Sequence, residues 1–254
     1  MIAFVYDGTW EGLLTSVFEA FERKASDAII RTEESYVPSM LDEAVHVITN
    51  ESYAKRVFTG LQKRLNGPAL EQLYWCFLSE KPEIETTILR YIQYAYSTSA
   101  SIEKAFAHPA VFTISQVAKQ VYREKHRMEA FVRFQLTSDD IFFSVVEPDF
   151  NVLPLLIKHF KGRYADQKWV IFDKRRQYGI SYDLNEVTYV TFEGMPNFKA
   201  GDNSIFKEEE AIYQSLWKNY FKSVNIKERK NLDLHFRHVP KRYWKYLTEK
   251  HPEY

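Results

Sequence analysis

The chain has 254 residues, which is enough for one or two domains that bury their own apolar cores. Its 45% hydrophobic and 27% charged content, with only 8 Gly and 9 Pro, excludes a collagen-like or largely disordered protein. The 34 basic and 34 acidic residues cancel, so net charge indicates no class of partner. A single cysteine, Cys76, excludes an intrachain disulfide and any zinc or iron–sulfur site built from three or four cysteines.

The two ends of the chain carry charge of opposite sign. Residues 1–100 hold 9 basic and 14 acidic side chains, whereas residues 222–254 hold 9 basic and 4 acidic ones. A basic tail is typical of a phosphate-binding surface, and equally of a solvated helix end. The N-terminus has no signal-peptide pattern, and no run of 18 apolar residues occurs. We therefore expect a cytoplasmic protein with no membrane contact and a reduced thiol.

The first fifty residues predict strands around one helix. Ile2–Tyr6 is an apolar run that a turn at Asp7 and Gly8 closes, which is typical of a buried strand. Thr9 then stands where a helix N-cap is expected, before apolar residues at helical spacing. Two further strands are predicted at residues 27–32 and 45–49. This order indicates a βαβ-like N-terminal portion.

Four helices are predicted next, at residues 52–66, 68–79, 83–96 and 109–125. A polar segment with a proline, residues 79–82, separates the second of these helices from the third. We place a domain boundary there. The chain would then consist of an N-terminal α/β portion, residues 1–80, and an α+β domain, residues 81–254.

The second half changes to short strands joined by polar turns. Strands are predicted at residues 130–136, 141–147, 169–173, 178–182 and 187–192. A helix at residues 152–164 follows the second strand, and helices at residues 206–221 and 240–249 follow the last. The predicted fold class is α+β, an antiparallel five-stranded sheet with surrounding helices plus the βαβ-like N-terminal portion.

Several catalytic and nucleotide-binding motifs are absent from the sequence. It contains no Gly-x-x-x-x-Gly-Lys phosphate loop, Gly-x-Gly-x-x-Gly fingerprint, His-Glu-x-x-His or Gly-x-Ser-x-Gly. An enzymatic role stays open, but it would use an uncommon set of residues.

Two segments carry candidate catalytic groups. His126 and Arg127 stand where the predicted helix gives way to a strand that holds Arg133, an arrangement that suits gripping a phosphate or carboxylate. A capping histidine and surface arginines explain them equally well. Glu147 and Asp149 flank a proline and are close enough to share a proton or a cation. Alternatively, Asp149 or Asn151 caps the next helix.

Two further segments are basic. Lys174, Arg175 and Arg176 fill a predicted hairpin turn between aromatic strands, which suits gripping phosphates and stacking on bases, or protecting a sheet edge. Near the C-terminus, His235 and His238 lack a third ligand at metal-binding spacing, so we expect no metal. A basic helix is predicted to begin there at Pro240, as a phosphate-binding device or a docked helix with a solvated face. Its candidate binding residues are Lys241, Arg242 and Lys245.

Four segments in order along the chain resemble a bacterial family described as a probable DNA metabolism protein and built on a domain of unknown function. They are residues 6–14, 126–134, 146–156, and the pair 228–229 with 238–249. The resemblance spans essentially the whole chain. In that family, the gene commonly lies beside one for a radical-SAM protein assigned to DNA modification or repair.

The resemblance implies an accessory role in DNA repair or metabolism, with DNA and a radical-SAM protein as partners and no cofactor on this chain. Some family members add a uracil-DNA-glycosylase-like domain, which we do not expect here because the sequence ends shortly after Glu249. Two alternatives stay open, a protein-only scaffold and a nucleic-acid-processing enzyme that uses His126, Glu147 and Asp149. The expected nucleic-acid contacts are Arg127, Arg133, Lys174, Arg175, Arg176, Arg229, His238, Lys241, Arg242 and Lys245.

Overall fold

The computed structural model describes residues 1–39, 42–191, 206–207, 209–223 and 236–250. Their contacts divide the chain into two units, Met1–Tyr122 and Arg123–Tyr254. Each unit contains a β-sheet of its own. Among the helices that the structure describes, none combines the length and apolar character needed to cross a lipid bilayer.

The first unit contains a three-stranded parallel sheet in the order β2-β1-β3. This arrangement confirms the βαβ-like N-terminal portion, although the third strand lies slightly earlier in the chain than predicted. Its elements are β1 (Ile2–Tyr6), α1 (Trp10–Glu22), β2 (Ala28–Thr32), β3 (Glu43–His46), α2 (Glu51–Arg64), α3 (Gly67–Phe77), α4 (Ile84–Ser97) and the start of α5 (Pro109–Phe131).

The turn between β1 and α1 is held by local hydrogen bonds. The Thr9 hydroxyl oxygen accepts a hydrogen bond from the Gly12 amide at 2.9 Å, so Thr9 is the N-cap, as predicted. The Asp7 carboxylate in turn accepts from the Thr9 amide at 2.9 Å. A Cβ atom at Gly12 would lie 2.3 Å from the Asp7 carboxylate oxygen, so the close approach requires glycine.

The core of the first unit lies against β1, whose residues Ala3, Phe4, Val5 and Tyr6 are all buried. Helix α1 packs on β1 and α2 through an apolar face at helical spacing. Helix α4 packs on β2, where the Thr86 hydroxyl accepts a hydrogen bond from the Ile30 amide at 3.0 Å.

The second unit contains a five-stranded sheet in the order β4-β5-β6-β7-β8, which confirms the predicted α+β class. Only the pairing of β5 with β6 is parallel, because the intervening helix α6 returns the chain to the starting edge of the sheet. The sheet is therefore mixed, and mostly antiparallel. Its elements are β4 (Gln135–Leu136), β5 (Phe142–Val146), α6 (Leu153–Arg163), β6 (Trp169–Asp173), β7 (Tyr178–Tyr182), β8 (Val187–Thr191), α7 (Glu210–Ser223) and two 3₁₀ helices, Lys241–Tyr246 and Thr248–Lys250.

The strand predicted at residues 130–136 is wrong over most of its length. Helix α5 continues to Phe131 and leaves only Gln135–Leu136 as a strand. Buried Val121, Met128 and Val132 extend the helical apolar spacing through this region, and that burial outweighs the local alternation. His126 and Arg127 consequently lie within the last turns of a helix instead of at a helix–strand junction, and Arg133 lies after the helix.

Two further expectations about helix ends are corrected. The N-cap of α6 is Val152, without a side-chain hydrogen bond, so neither Asp149 nor Asn151 caps that helix. The Asn151 amide oxygen instead accepts a hydrogen bond from the Tyr178 hydroxyl. The helix predicted at residues 240–249 is resolved as the two 3₁₀ helices, with buried Tyr243 and Leu247 anchoring them.

Candidate nucleic-acid interface

An acidic loop, residues 147–149, and a basic turn, residues 174–176, lie side by side in the second unit. The loop follows β5 and the turn follows β6. Because these two strands are parallel neighbours, their carboxyl ends meet at the same edge of the sheet. The parallel pairing therefore brings together two segments that the sequence separates by a helix.

The buried carboxylate of Asp173 shapes the basic turn. It accepts hydrogen bonds from the Arg175 amide at 2.8 Å and the Arg176 amide at 3.2 Å, and it pairs with the Arg176 guanidinium at 2.8 Å. Burial raises the pKa of Asp173, and the hydrogen bond and charge of Arg176 partly offset that rise. Asp173 thus fixes the turn from inside the protein.

The two arginines of the basic turn hold the acidic loop through its backbone. The Arg175 guanidinium donates to the Asp149 carbonyl at 3.1 Å. That of Arg176 donates to the carbonyls of Pro148 at 3.2 Å and Asp149 at 3.3 Å. Carbonyl oxygens carry no net charge, so these contacts orient Arg175 without neutralising it.

The C-terminal 3₁₀ helix Lys241–Tyr246 contacts the same loop. Arg242 pairs with the Asp149 carboxylate at 2.6 Å, and Lys245 pairs with Glu147. The Tyr246 hydroxyl also donates to Glu147 at 2.6 Å. The hydrogen bonds from Lys245 and Tyr246 lower the pKa of Glu147, so its side chain is an ionised anchor at neutral pH.

The buried carboxylate of Glu124, on α5, contacts both the acidic loop and the C-terminal 3₁₀ helix. It is 1% exposed and accepts hydrogen bonds from the Asp149 amide at 2.8 Å and from the Tyr243 hydroxyl. Arg242 lies 3.2 Å and Arg127 lies 3.6 Å from its carboxylate. Burial and the hydrogen bond to Glu124 raise the pKa of Tyr243, which keeps its proton on the phenol.

Sequence reasoning missed Glu124, Asp173, Tyr243 and Tyr246 as members of this network. Glu124 carried a detectable signal, since it follows Val121 by three residues and precedes Met128 by four on the apolar face of α5. A carboxylate within an apolar face is expected to need a partner. Asp173 ends a strand whose five residues are all buried, which is a similar signal.

The basic turn and the C-terminal 3₁₀ helix, which both contact the acidic loop, carry exposed cations that we call the basic surface. Its side chains include Arg242, 42% exposed, and Lys245, 58% exposed. The two carboxylates of the loop are partly exposed among them, Glu147 at 35% and Asp149 at 46%. The basic surface consists of Lys174, Arg175, Lys241, Arg242 and Lys245.

The remaining predicted site residues lie elsewhere. His126, with its side chain 76% exposed, lies 3.6 Å from the Glu129 carboxylate. Among the described residues, no hydrogen bond or ion pair joins His126 to Glu147 or Asp149. Arg133 pairs with Glu249 at 2.8 Å. His238 is exposed, while Arg229 and His235 lie outside the described residues.

A family model described as a domain of unknown function, DUF4130, matches residues 82–249. The chain belongs to the DUF4130 family. No curated protein matches the chain. The DUF4130 segment includes the acidic loop, the basic turn and the whole basic surface, while residues 1–81 lie outside it.

The DUF4130 segment also includes residues 82–122 of the first unit, because the contacts divide the chain between Tyr122 and Arg123. The domain boundary expected near residue 80 stays a prediction.

Proposed function

We propose that this DUF4130 protein binds nucleic acid through the basic surface and acts as an accessory protein in DNA metabolism beside a radical-SAM partner. The observation that carries the binding proposal is the convergence of two basic segments. Arg175 of the basic turn and Arg242 of the C-terminal 3₁₀ helix both contact Asp149, one at its carbonyl and one at its carboxylate. Clustered Lys and Arg side chains are the usual means of phosphate binding.

The ion pairs of the basic surface do not prevent phosphate binding. Arg242 and Asp149 are each more than 40% exposed, and ion pairs that water reaches contribute little stability. A phosphate oxygen that approaches Arg242 can therefore replace the Asp149 carboxylate. Arg175 is already oriented by the Asp149 carbonyl, which lowers the entropy cost of a bidentate contact.

An accessory role agrees better with the contacts than the enzymatic alternative does. Glu147 is engaged with Lys245 and Tyr246, and Glu124 with Tyr243 and Arg242. Each carboxylate thus positions a cation or a phenol. His126, the proposed third catalytic group, has its described contact with Glu129 instead.

The binding proposal predicts a defined salt dependence. Fluorescence anisotropy of labelled single- and double-stranded 20-mer DNA, measured across a salt series, should show log affinity falling linearly with log salt. Lys174→Ala combined with Lys241→Ala removes two exposed cations and should reduce that slope by about 1.4–1.8, since each phosphate contact contributes about 0.7–0.9. The expected loss of affinity is severalfold or more at 0.1 M salt.

The matched control is Lys158→Ala, which removes an exposed cation from α6 in the same unit and should leave the slope unchanged. A double variant with the slope of the unaltered protein would contradict the role of the basic surface. If neither DNA binds at low salt, the proposal that this chain recognises nucleic acid is contradicted.

A further inference from the structure

A groove of about 690 Å³ opens on the first unit, with α1 and α2 outside the DUF4130 match and α4 inside it. Helices α1, α2 and α4 form its walls. One wall is apolar and aromatic, with Val17, Phe18 and Phe21 from α1 and Ile92 and Tyr96 from α4. No residue of the basic surface belongs to it.

A second part of the lining is one polar face of α2. Ser52, Arg56, Thr59 and Lys63 are spaced by four, three and four residues, so they project from the same side of the helix. Hydroxyls and cations therefore alternate along the groove. With a rise of about 1.5 Å per residue, Arg56 and Lys63 are about 10 Å apart along the helix axis, which spans more than one phosphate of an extended strand.

The groove is cationic although residues 1–100 are net acidic. Lys55, Arg56 and Lys63 line it against one carboxylate, that of Glu22. Among the described residues, the side-chain amine of neither Lys55 nor Lys63 forms a hydrogen bond or an ion pair. The Arg56 guanidinium lies 5.3 Å from the centre of the Phe18 ring, which orients it without neutralising its charge.

Two exposed aromatic rings line the same groove. Phe21 is 42% exposed and Tyr96 is 39% exposed, and their ring centres lie 5.5 Å apart. Gly60 permits this arrangement, because a Cβ atom there would lie 2.4 Å from the Tyr96 hydroxyl oxygen. Rings set into a groove reach a nucleobase only where it is unpaired, as in a single strand.

We propose that this groove binds single-stranded nucleic acid, with phosphates along Arg56 and Lys63 and bases against Phe21 and Tyr96. The alternation of hydroxyl and cation favours a phosphate backbone, and the aromatic part of the lining favours planar bases, so the two parts match the two parts of one ligand. The choice of ligand class rests on the proposed function, but the residues involved are entirely different ones.

The test uses the full chain and a labelled dT20 oligonucleotide, beside a duplex of the same length. Arg56→Ala combined with Lys63→Ala should weaken dT20 binding about tenfold or more at 0.1 M salt and reduce the salt slope by about 1.4. Phe21→Ala should weaken dT20 binding by fivefold or more without changing the slope, because stacking is not ionic. The duplex affinity should change little in both variants. The control, Lys104→Ala with Lys119→Ala, removes two exposed cations of the same unit outside the groove.

Unchanged dT20 affinity in the Arg56 and Lys63 double variant would overturn the inference. An equal loss of duplex affinity would also overturn it, as would displacement of dT20 by polyglutamate of matched charge as efficiently as by unlabelled dT20. The outcome is separable from that of the basic surface, since Lys174→Ala with Lys241→Ala tests the latter alone. If neither dT20 nor the duplex binds at low salt, both proposals fail.

Discussion

Glu124 shows how one side chain organises the basic surface. It is a helix residue of ordinary appearance in the sequence, yet the fold buries it to 1% exposure. Its carboxylate accepts hydrogen bonds from the Asp149 amide, the Tyr243 hydroxyl and the Arg242 guanidinium. A buried carboxylate is stable only when such donors surround it.

Replacing Glu124 by Ala should therefore destabilise the protein by about 2–4 kcal/mol, because the Asp149 amide and the buried Tyr243 hydroxyl lose their acceptor. Glu124→Gln keeps an acceptor and should cost less. Chemical denaturation followed by fluorescence measures both changes. Arg123→Ala, exposed on the same helix, is the control and should stay within about 0.5 kcal/mol. Equal stability of Glu124→Ala and the unaltered protein would contradict a structural role for Glu124.

At this scale, the sequence singled out several charged residues of the acidic loop and the basic surface, but not their contacts. Glu147, Asp149, Arg175 and Arg242 were all singled out, and the structure brings them together. Their partners Glu124 and Asp173 were missed, because the need for a buried partner becomes visible only when burial is known. His126 was chosen for its place beside Arg127 at a predicted helix–strand junction, but it lies within α5, 3.6 Å from the Glu129 carboxylate.

At the scale of elements, Glu249 connects the second 3₁₀ helix, Thr248–Lys250, to two other parts of the second unit. Its carboxylate pairs with Arg133 at 2.8 Å and accepts a hydrogen bond from the Trp217 indole of α7 at 2.9 Å. Burial opposes ionisation of Glu249, but the hydrogen bonds from Arg133 and Trp217 outweigh it and lower the pKa. The Arg133 guanidinium is thus engaged in an ion pair within the protein, which weakens its predicted role in nucleic-acid binding.

This contact predicts a specific pH dependence. Because the pKa of Glu249 in the folded state lies below its ordinary value of 4.5, the stabilisation is present above pH 4.5 and is lost as pH falls through the lowered pKa. Glu249→Gln should lower stability at pH 7 by about 1–2 kcal/mol, and its difference from the unaltered protein should shrink toward pH 3. Thermal unfolding across pH 3–7 measures this, with exposed Glu186→Gln as the control. A difference that does not depend on pH would contradict the ionic contact.

Element types were predicted well from periodicity, and their ends and pairings less well. Strands β6 and β7 begin and end as predicted, because their apolar runs are closed by polar turns. The length of α5 and the parallel pairing of β5 with β6 were not predicted. The first depends on burial of Met128 and Val132, and the second on the path of α6.

At the scale of the whole molecule, Cys76 limits the chemistry that the chain performs alone. The thiol is fully buried, and burial raises its pKa to about 12. A protonated, inaccessible thiol is neither a nucleophile nor a ligand of an iron–sulfur cluster. Radical chemistry in the proposed pathway would therefore reside in the radical-SAM partner.

The partner proposal predicts a complex in which only the partner holds iron. Mixed with the radical-SAM protein, the chain should co-elute in size-exclusion chromatography with light scattering, and absorbance near 400 nm should follow the partner alone. Cys76→Ala should leave both the complex and DNA binding unchanged, because the thiol is fully buried. Separate elution at micromolar concentrations would contradict the partnership. Iron bound to the isolated chain would contradict the conclusion that Cys76 is not a cluster ligand.

The sequence by itself determined the kind of most main elements, the order of the elements and the charged segments that form the basic surface, because these depend on local periodicity and composition. Only the tertiary structure decided that the basic turn and the C-terminal 3₁₀ helix meet at Asp149, and that Arg56 and Lys63 line one groove with Phe21 and Tyr96. These contacts join segments that are far apart in the sequence. They depend on how a parallel strand pair and packed helices are arranged in space, which a local sequence pattern does not specify.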